Sequence, residues 1–150
     1  MIALAPLFRA QITLAPPQEL GEAPLGRRRI INIKGGTVSG ERLSGRVLPG
    51  GADWQIVRHD GAAQLDARYT VETSDGALVY VNHQALRHGP PEVLRQLAEG
   101  RQVDPSLYYM RGAMRFETGD ARYAWLNKVL AVTTGARLAA AVEIEAFEVK

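Results

Sequence analysis

The sequence predicts an all-β protein: a single-domain antiparallel β-barrel spanning residues 1–150, lipocalin-like in architecture, with one short helix. Three observations lead there. Between Gly35 and Gly76, short apolar or alternating runs are punctuated by Gly35-Gly36, Pro49-Gly50-Gly51, Asp60-Gly61 and Asp75-Gly76. Gly and Asp-Gly supply the positive φ that tight hairpin turns require, so the stretch reads as consecutive hairpins. About nine strands can be drawn along the chain, and closing such a meander removes its exposed edges. Only one segment carries both the start and the stop signal of a helix.

Leu7–Leu14 reads as a first strand, with Phe8, Ala10, Ile12 and Leu14 on one face. Residues 15–26 hold three prolines and two glycines and are expected to form a loop. Arg28–Val38 is a second strand, and Gly35-Gly36 inside it predicts a bulge or sharp bend. Glu41–Leu48 and Asp53–Arg58 are short strands; Leu65–Thr73 and Ala77–His83 pair across Ser74-Asp75-Gly76. In Gly89–Gly100, proline stands near the first turn and glycine just past the end. Its narrow apolar stripe, Val93, Leu94 and Leu97, fits a helix that lies on a surface or covers an opening. Ser106–Glu117 returns to strand, and Gly119–Ala124 is a turn or helical twist. Trp125–Lys150 is read as two strands turning at Thr134-Gly135, with a bulge near Ala146 where the apolar phase changes from Val142 and Ile144 to Phe147 and Val149.

Composition narrows the function. A chain of 150 residues holds one core and buries roughly 70% of the surface its unfolded form exposes. The net charge of +2, with Arg27-Arg28-Arg29 as the one basic cluster, lacks the broad basic stripe of a nucleic-acid binder. There is no cysteine, so no disulfide, thiolate metal site or cysteine nucleophile is available. No run approaches a membrane span and the N-terminus lacks a signal-peptide core, so a cytoplasmic location is expected. His59, His83 and His88 make no helical metal pair, and the glycine pairs lack the context of a phosphate loop. No metal and no cofactor are therefore expected. Ser44 and Ser106 have no nucleophile elbow.

The order of short motifs resembles the UPF0311 family, also described as the DUF3237 domain. The resemblance rests on Gly35-Gly36-Thr37, Leu48-Pro49-Gly50-Gly51-Ala52-Asp53-Trp54, Leu65-Asp66-Ala67-Arg68-Tyr69-Thr70 and Asp75-Gly76-Ala77-Leu78. It continues through Gly89-Pro90, Val103-Asp104-Pro105-Ser106, Tyr108-Tyr109-Met110-Arg111, Phe116-Glu117-Thr118-Gly119 and Trp125-Leu126-Asn127, nearly the whole chain. It implies a small, mostly bacterial, all-β barrel protein, and no settled activity or catalytic residue.

Candidate chemistry comes from polar residues embedded in strands. Asp66, Arg68, Thr70 and Glu72 share one face; Tyr80 and Asn82 are in phase on the next strand; Tyr109, Arg111, Arg115 and Glu117 are in phase further on. Such rows are either a solvated outer face with cross-strand charge pairs or the lining of a wet cavity. In the second case Arg68, Tyr80, Asn82, Tyr109 and Arg111 would surround a ligand between Trp54 and Trp125 as apolar walls. An arginine would then anchor a carboxylate or enolate oxygen, and Tyr and Asn would supply donors that orient a carbonyl. Asp53 and Glu117 are the candidate catalytic carboxylates; burial beside Trp54 would raise the Asp53 pKa toward that of a general base. The simpler role for Asp53 is a turn cap, and Asp66 is a further carboxylate.

Three functions fit these residues. The leading one is binding of a small, partly apolar organic molecule with a carboxylate or carbonyl oxygen. The second is a cofactor-independent isomerase, hydratase or cyclase. The third is a packed barrel acting as an oligomeric interaction protein. A homodimer is compatible with each; nucleic acid and membrane are not expected partners.

Overall fold

The computed structural model describes all 150 residues. Ten antiparallel strands form one closed sheet: β1 (Leu4–Leu14), β2 (Gln18–Ala23), β3 (Gly26–Ser39), β4 (Gly45–Val47), β5 (Ala52–Val57), β6 (Ala63–Thr73), β7 (Leu78–His88), β8 (Tyr109–Glu117), β9 (Ala131–Arg137) and β10 (Ala141–Val149). The path runs β1-β10-β9-β8-β7-β6, then through β4 and β5 to β3, and pairing of β3 with β1 closes the ring. Two positions are split. The first half of β3 pairs with β2 and β5, the second half with β1 and β4, giving an eight-position barrel.

The glycines at the centre of β3 are the hinge of this arrangement. Thr13 pairs with Gly35 but Leu14 pairs with Ile33, so Lys34 is an extra residue, the expected bulge. Gly36 faces Ile12, and a Cβ there would collide with the Gln11 carbonyl and stand 3.0 Å from the Ile12 Cα. Only a residue without a side chain lets the two strands seal the barrel at this point.

Helix α1 (Pro91–Ala98) follows β7, and 3₁₀ segments cover Pro105–Leu107 and Ala121–Lys128. The two ends of the barrel differ. One is filled by Val47, Val71, Val79, Val81, Met114 and Phe116 and is closed by Leu126 of the second 3₁₀ segment. Each fully buried side chain of this kind contributes about 1.5–3 kcal/mol. The other end carries polar side chains among the apolar ones and lies beneath α1, whose Leu97 is buried.

Several boundaries differ from expectation. Residues 18–23 form a strand rather than loop, because β2 is held by pairing with β3 alone and five of its six residues are exposed, leaving no apolar phase to read. The helical twist expected through Ala124 continues to Lys128, so residues 125–128 do not start a strand; the Asp120 side chain caps the Arg122 N–H. Thr134 and Gly135 lie inside β9, opposite Glu145 and Ile144; the chain turns at residues 138–140. The bulge expected near Ala146 sits across from it on β1, where the register shifts between Pro6 and Phe8 and both Leu7 and Phe8 are buried. β10 keeps one inward phase through Ile144, Ala146 and Glu148.

Gly36→Ala should lower stability by about 2 kcal/mol through forced overpacking. Gly119→Ala, which meets nothing within 4 Å, should change it by less than about 0.5 kcal/mol. Thermal and urea unfolding of the two variants check this; equal stability would mean that the β1–β3 seam tolerates a side chain.

Candidate functional site

Strand alternation decides which side chains enter the barrel. On β6 the inner row is Ala63, Leu65, Ala67, Tyr69 and Val71; on β8 it is Met110, Met114 and Phe116. Arg68, Tyr80, Tyr109, Arg111 and Glu117 are exposed on the outer face, and Asn82 lies on the same outer row as Tyr80. The expectation that these residues surround an interior pocket is therefore corrected: the apolar partners in each strand claim the interior. Trp54 is also outside, with the Arg68 guanidinium 4.2 Å above its ring. Trp125 packs at the closed end under Arg42, 3.8 Å from its ring centre. Neither tryptophan lines the inner cavity. Glu117 pairs in register with Tyr80, away from Asp53.

Asp53 is the one proposed polar residue that points inward, and it is 8% exposed. Its Oδ1 accepts the Asp66 N–H at 2.8 Å, and its Oδ2 accepts from Gln55 Nε2 at 3.1 Å. Gln55 Oε1 in turn accepts from Arg29 Nη1 at 3.0 Å, and Arg29 Nε donates to Glu19 at 2.9 Å. A hydrogen-bonded chain thus runs from the exposed β2 edge to the buried carboxylate. Burial raises the Asp53 pKa above its ordinary value; the two hydrogen bonds and the Arg87 charge oppose that only in part.

Around Asp53 the inward rows bring together residues that the sequence did not single out as site residues. Arg87 (7% exposed) comes from the end of β7, Arg137 from the end of β9, and Tyr69 from β6. Together with Asp53, Gln55 and His83 they line a cavity of about 50 Å³, whose remaining walls include Ile31, Met110 and Ile144. Burial lowers the Arg87 pKa to about 10, helped by Arg137 and Arg29, so Arg87 stays cationic at neutral pH. Burial also lowers Arg137. The buried side-chain polar atoms without a hydrogen-bond partner in the chain are three: Tyr69 Oη, Arg87 Nε and Arg137 Nε. All three can donate, and all three residues line this cavity.

His83 marks the cavity's edge. Its Nε2 lies 2.8 Å from Thr133 Oγ1 on β9, reaching across β8. Gly112 makes that possible, since a Cβ there would stand 2.6 Å from the imidazole and 2.8 Å from the hydroxyl. Burial lowers the His83 pKa to about 4, leaving the ring neutral at pH 7. His59 and His88 are exposed, the latter stacked on Tyr109.

A closed antiparallel barrel with a small, mostly apolar cavity near one end that holds three unpartnered donors defines this as a β-barrel protein. The chain belongs to the DUF3237 family, described as a protein of unknown function, which it matches over residues 2–149. A UPF0311 protein of Rhodopseudomonas palustris is 50% identical over 129 residues, 86% of this chain and 84% of the relative. A crystal structure of a protein of unknown function from the same species superposes with a TM-score of 0.94 at 43% identity, covering 100% of this chain and 98% of the other. A β-barrel-like protein of Acinetobacter baumannii gives 0.88 at 48% identity, covering 100% and 97%. More distantly, the hydroalkoxylation enzyme phnH of Penicillium herquei is 27% identical over 125 residues, 83% of this chain and 68% of that enzyme. No helix of the chain is long and apolar enough to cross a membrane.

The depressed His83 pKa has a calculable consequence. Between its unfolded value of 6.5 and about 4, the unfolded chain binds a proton that the folded chain refuses. Stability should therefore fall as pH drops through that window, by on the order of 3 kcal/mol from this group, and level off below it. Asp53, with a raised folded pKa, acts in the opposite sense at the acid end. The difference between the wild-type and His83→Gln unfolding profiles isolates the histidine; parallel profiles between pH 7 and pH 4 would refute its burial as a neutral ring.

Proposed function

We propose that the inner cavity binds a small organic molecule through an acceptor oxygen, carbonyl or anionic, held by Tyr69, Arg87 and Arg137. One observation carries this reading: the three buried donors without a partner in the chain all line one cavity. A buried donor left unpaired costs about 1–3 kcal/mol, and more for a charged group. An acceptor oxygen placed among the three recovers that cost, and the apolar walls of Ile31, Met110 and Ile144 accept the rest of the molecule. Two guanidiniums nearby favour an oxygen that carries or develops negative charge.

Asp53 supports a second reading, in which the bound molecule also reacts. Its carboxyl is inside the same cavity and burial raises its pKa, the direction that favours a proton-transferring group. The chemistry that fits is cofactor-independent proton transfer: isomerisation, or addition of a hydroxyl across a carbon–carbon double bond. In the addition, the carboxylic acid delivers its proton to one alkene carbon, the hydroxyl oxygen bonds to the other, and the hydroxyl proton returns to the carboxylate. Electrons and protons balance with no oxidant. The relationship to a hydroalkoxylation enzyme supports this class of reaction. Glu117 has no part in it, being on the outer face.

Calorimetric titration with small ketones, esters and carboxylates should detect binding. Tyr69→Phe should weaken it several-fold, and Arg87→Met about tenfold or more. Arg68→Ala and Arg111→Ala, on the outer face, should leave it unchanged. Loss of binding in the outer variants, with full binding in the inner ones, would overturn the site. For the reacting case, unsaturated alcohols incubated in D₂O should gain deuterium at carbon, and Asp53→Asn should slow this by roughly 10²–10⁴. Undiminished incorporation would remove Asp53 from the chemistry.

A further inference from the structure

The triple arginine of β3 is left unexplained by the inner cavity. In β3 the inward row is Arg27, Arg29, Ile31 and Ile33, since Arg27 pairs with Val57, Arg29 with Gln55 and Ile31 with Asp53. Arg28 turns outward and donates to the Trp54 carbonyl at 3.0 Å. Alternate members of the run thus face the polar mouth of the barrel. There they meet Arg87 and Arg137 in a second cavity of about 80 Å³, roofed by Leu94 and Leu97 of α1. Of the four guanidiniums, only Arg29 has a carboxylate partner, Glu19; Glu22 stands opposite Arg27 on the neighbouring strand without an ion pair to it. Arg87, more than nine-tenths buried and with its Nε unpartnered, lines both cavities, and so does Arg137.

Four clustered cations beneath an apolar roof repel one another. Burial first, and then the charges of Arg137 and Arg29, depress the pKa of Arg87. An anion among them relieves that repulsion and gains charge-assisted hydrogen bonds. We propose that the mouth is a carboxylate subsite, so that the ligand is an organic acid with two separated oxygen functions. Its acceptor oxygen enters the inner cavity, its carboxylate stays at the mouth on Arg27, Arg87 and Arg137, and its short apolar chain passes under Leu94 and Leu97. This rests on the interior-binding reading above and adds a second recognition element to it.

The test is a titration of the full chain with straight-chain oxo acids of increasing length, each beside its methyl ester. The ester keeps the ketone oxygen and loses only the negative charge. The acid should bind about tenfold more tightly than its ester at the length that spans both cavities. Arg27→Gln, at an exposed position that leaves the inner cavity intact, should erase most of that preference without changing affinity for the ester. Equal affinity of acid and ester across the series overturns the mouth subsite while the interior reading stands. So does an acid preference that survives Arg27→Gln unchanged at every length. Failure of every acid and ester to bind overturns the interior reading itself, and this subsite with it.

Discussion

The seam between β1 and β3 is the constraint on which the molecule depends. Without it the sheet is an open meander with two unpaired edges, the arrangement that invites association with other chains. Closing it requires one long strand to serve two split neighbours on each side, and to change direction as it does so. The extra residue at Lys34 and the bare backbone at Gly36 supply that change. Each half of β3 then belongs to a different end of the barrel. Ile33 and Val38 join the apolar packing, whereas Arg27 and Arg29 reach the mouth.

Burial of unpaired guanidiniums at one end is the second organising fact; the buried Glu148 elsewhere is paired with Arg42 and Lys150. Desolvating a guanidinium is costly unless its donors are satisfied. The barrel accepts that cost for Arg87 and Arg137, close to a carboxylate whose own burial raises its pKa. The apolar end carries the compensating stability through tightly packed valines, methionine and phenylalanine. Asp53 is held by a backbone N–H and by Gln55, itself braced by Arg29, so its position is set by three strands rather than by a flexible loop. A carboxylate anchored in this way is held by rigid strands rather than by a mobile segment.

Glycine punctuation and period-two alternation made the barrel readable, because turn geometry and strand burial are local properties of the chain. The site was less readable. Alternation separates each strand into two rows but does not say which row is inside when both contain polar groups. Arg68 and Arg111 were candidates because they share a row with other polar residues; the inward-facing polar residues are those in an otherwise apolar row. Arg87 follows Val79, Val81 and Ala85 in phase, but the strand was expected to end at His83, four residues short of it. Arg137 was obscured by a turn placed at Thr134-Gly135, which in fact continue β9. Asp53 stood out as a carboxylate beside Trp54 after a glycine-rich turn, although a turn cap was its simpler role there; in the structure it accepts from Asp66 and Gln55 instead. β2 was not legible, since cross-strand pairing alone makes it a strand.

The Asp53 carboxylate accepts the Asp66 amide hydrogen where β5 and β6 would otherwise exchange backbone bonds; direct pairing resumes only at Ile56 with Gln64. A main-chain proton is thereby wired to the ionisation of the buried acid. In a nuclear magnetic resonance spectrum that single amide peak serves as a native gauge, needing no label on the side chain. Its chemical shift follows the charge on Asp53 as pH changes.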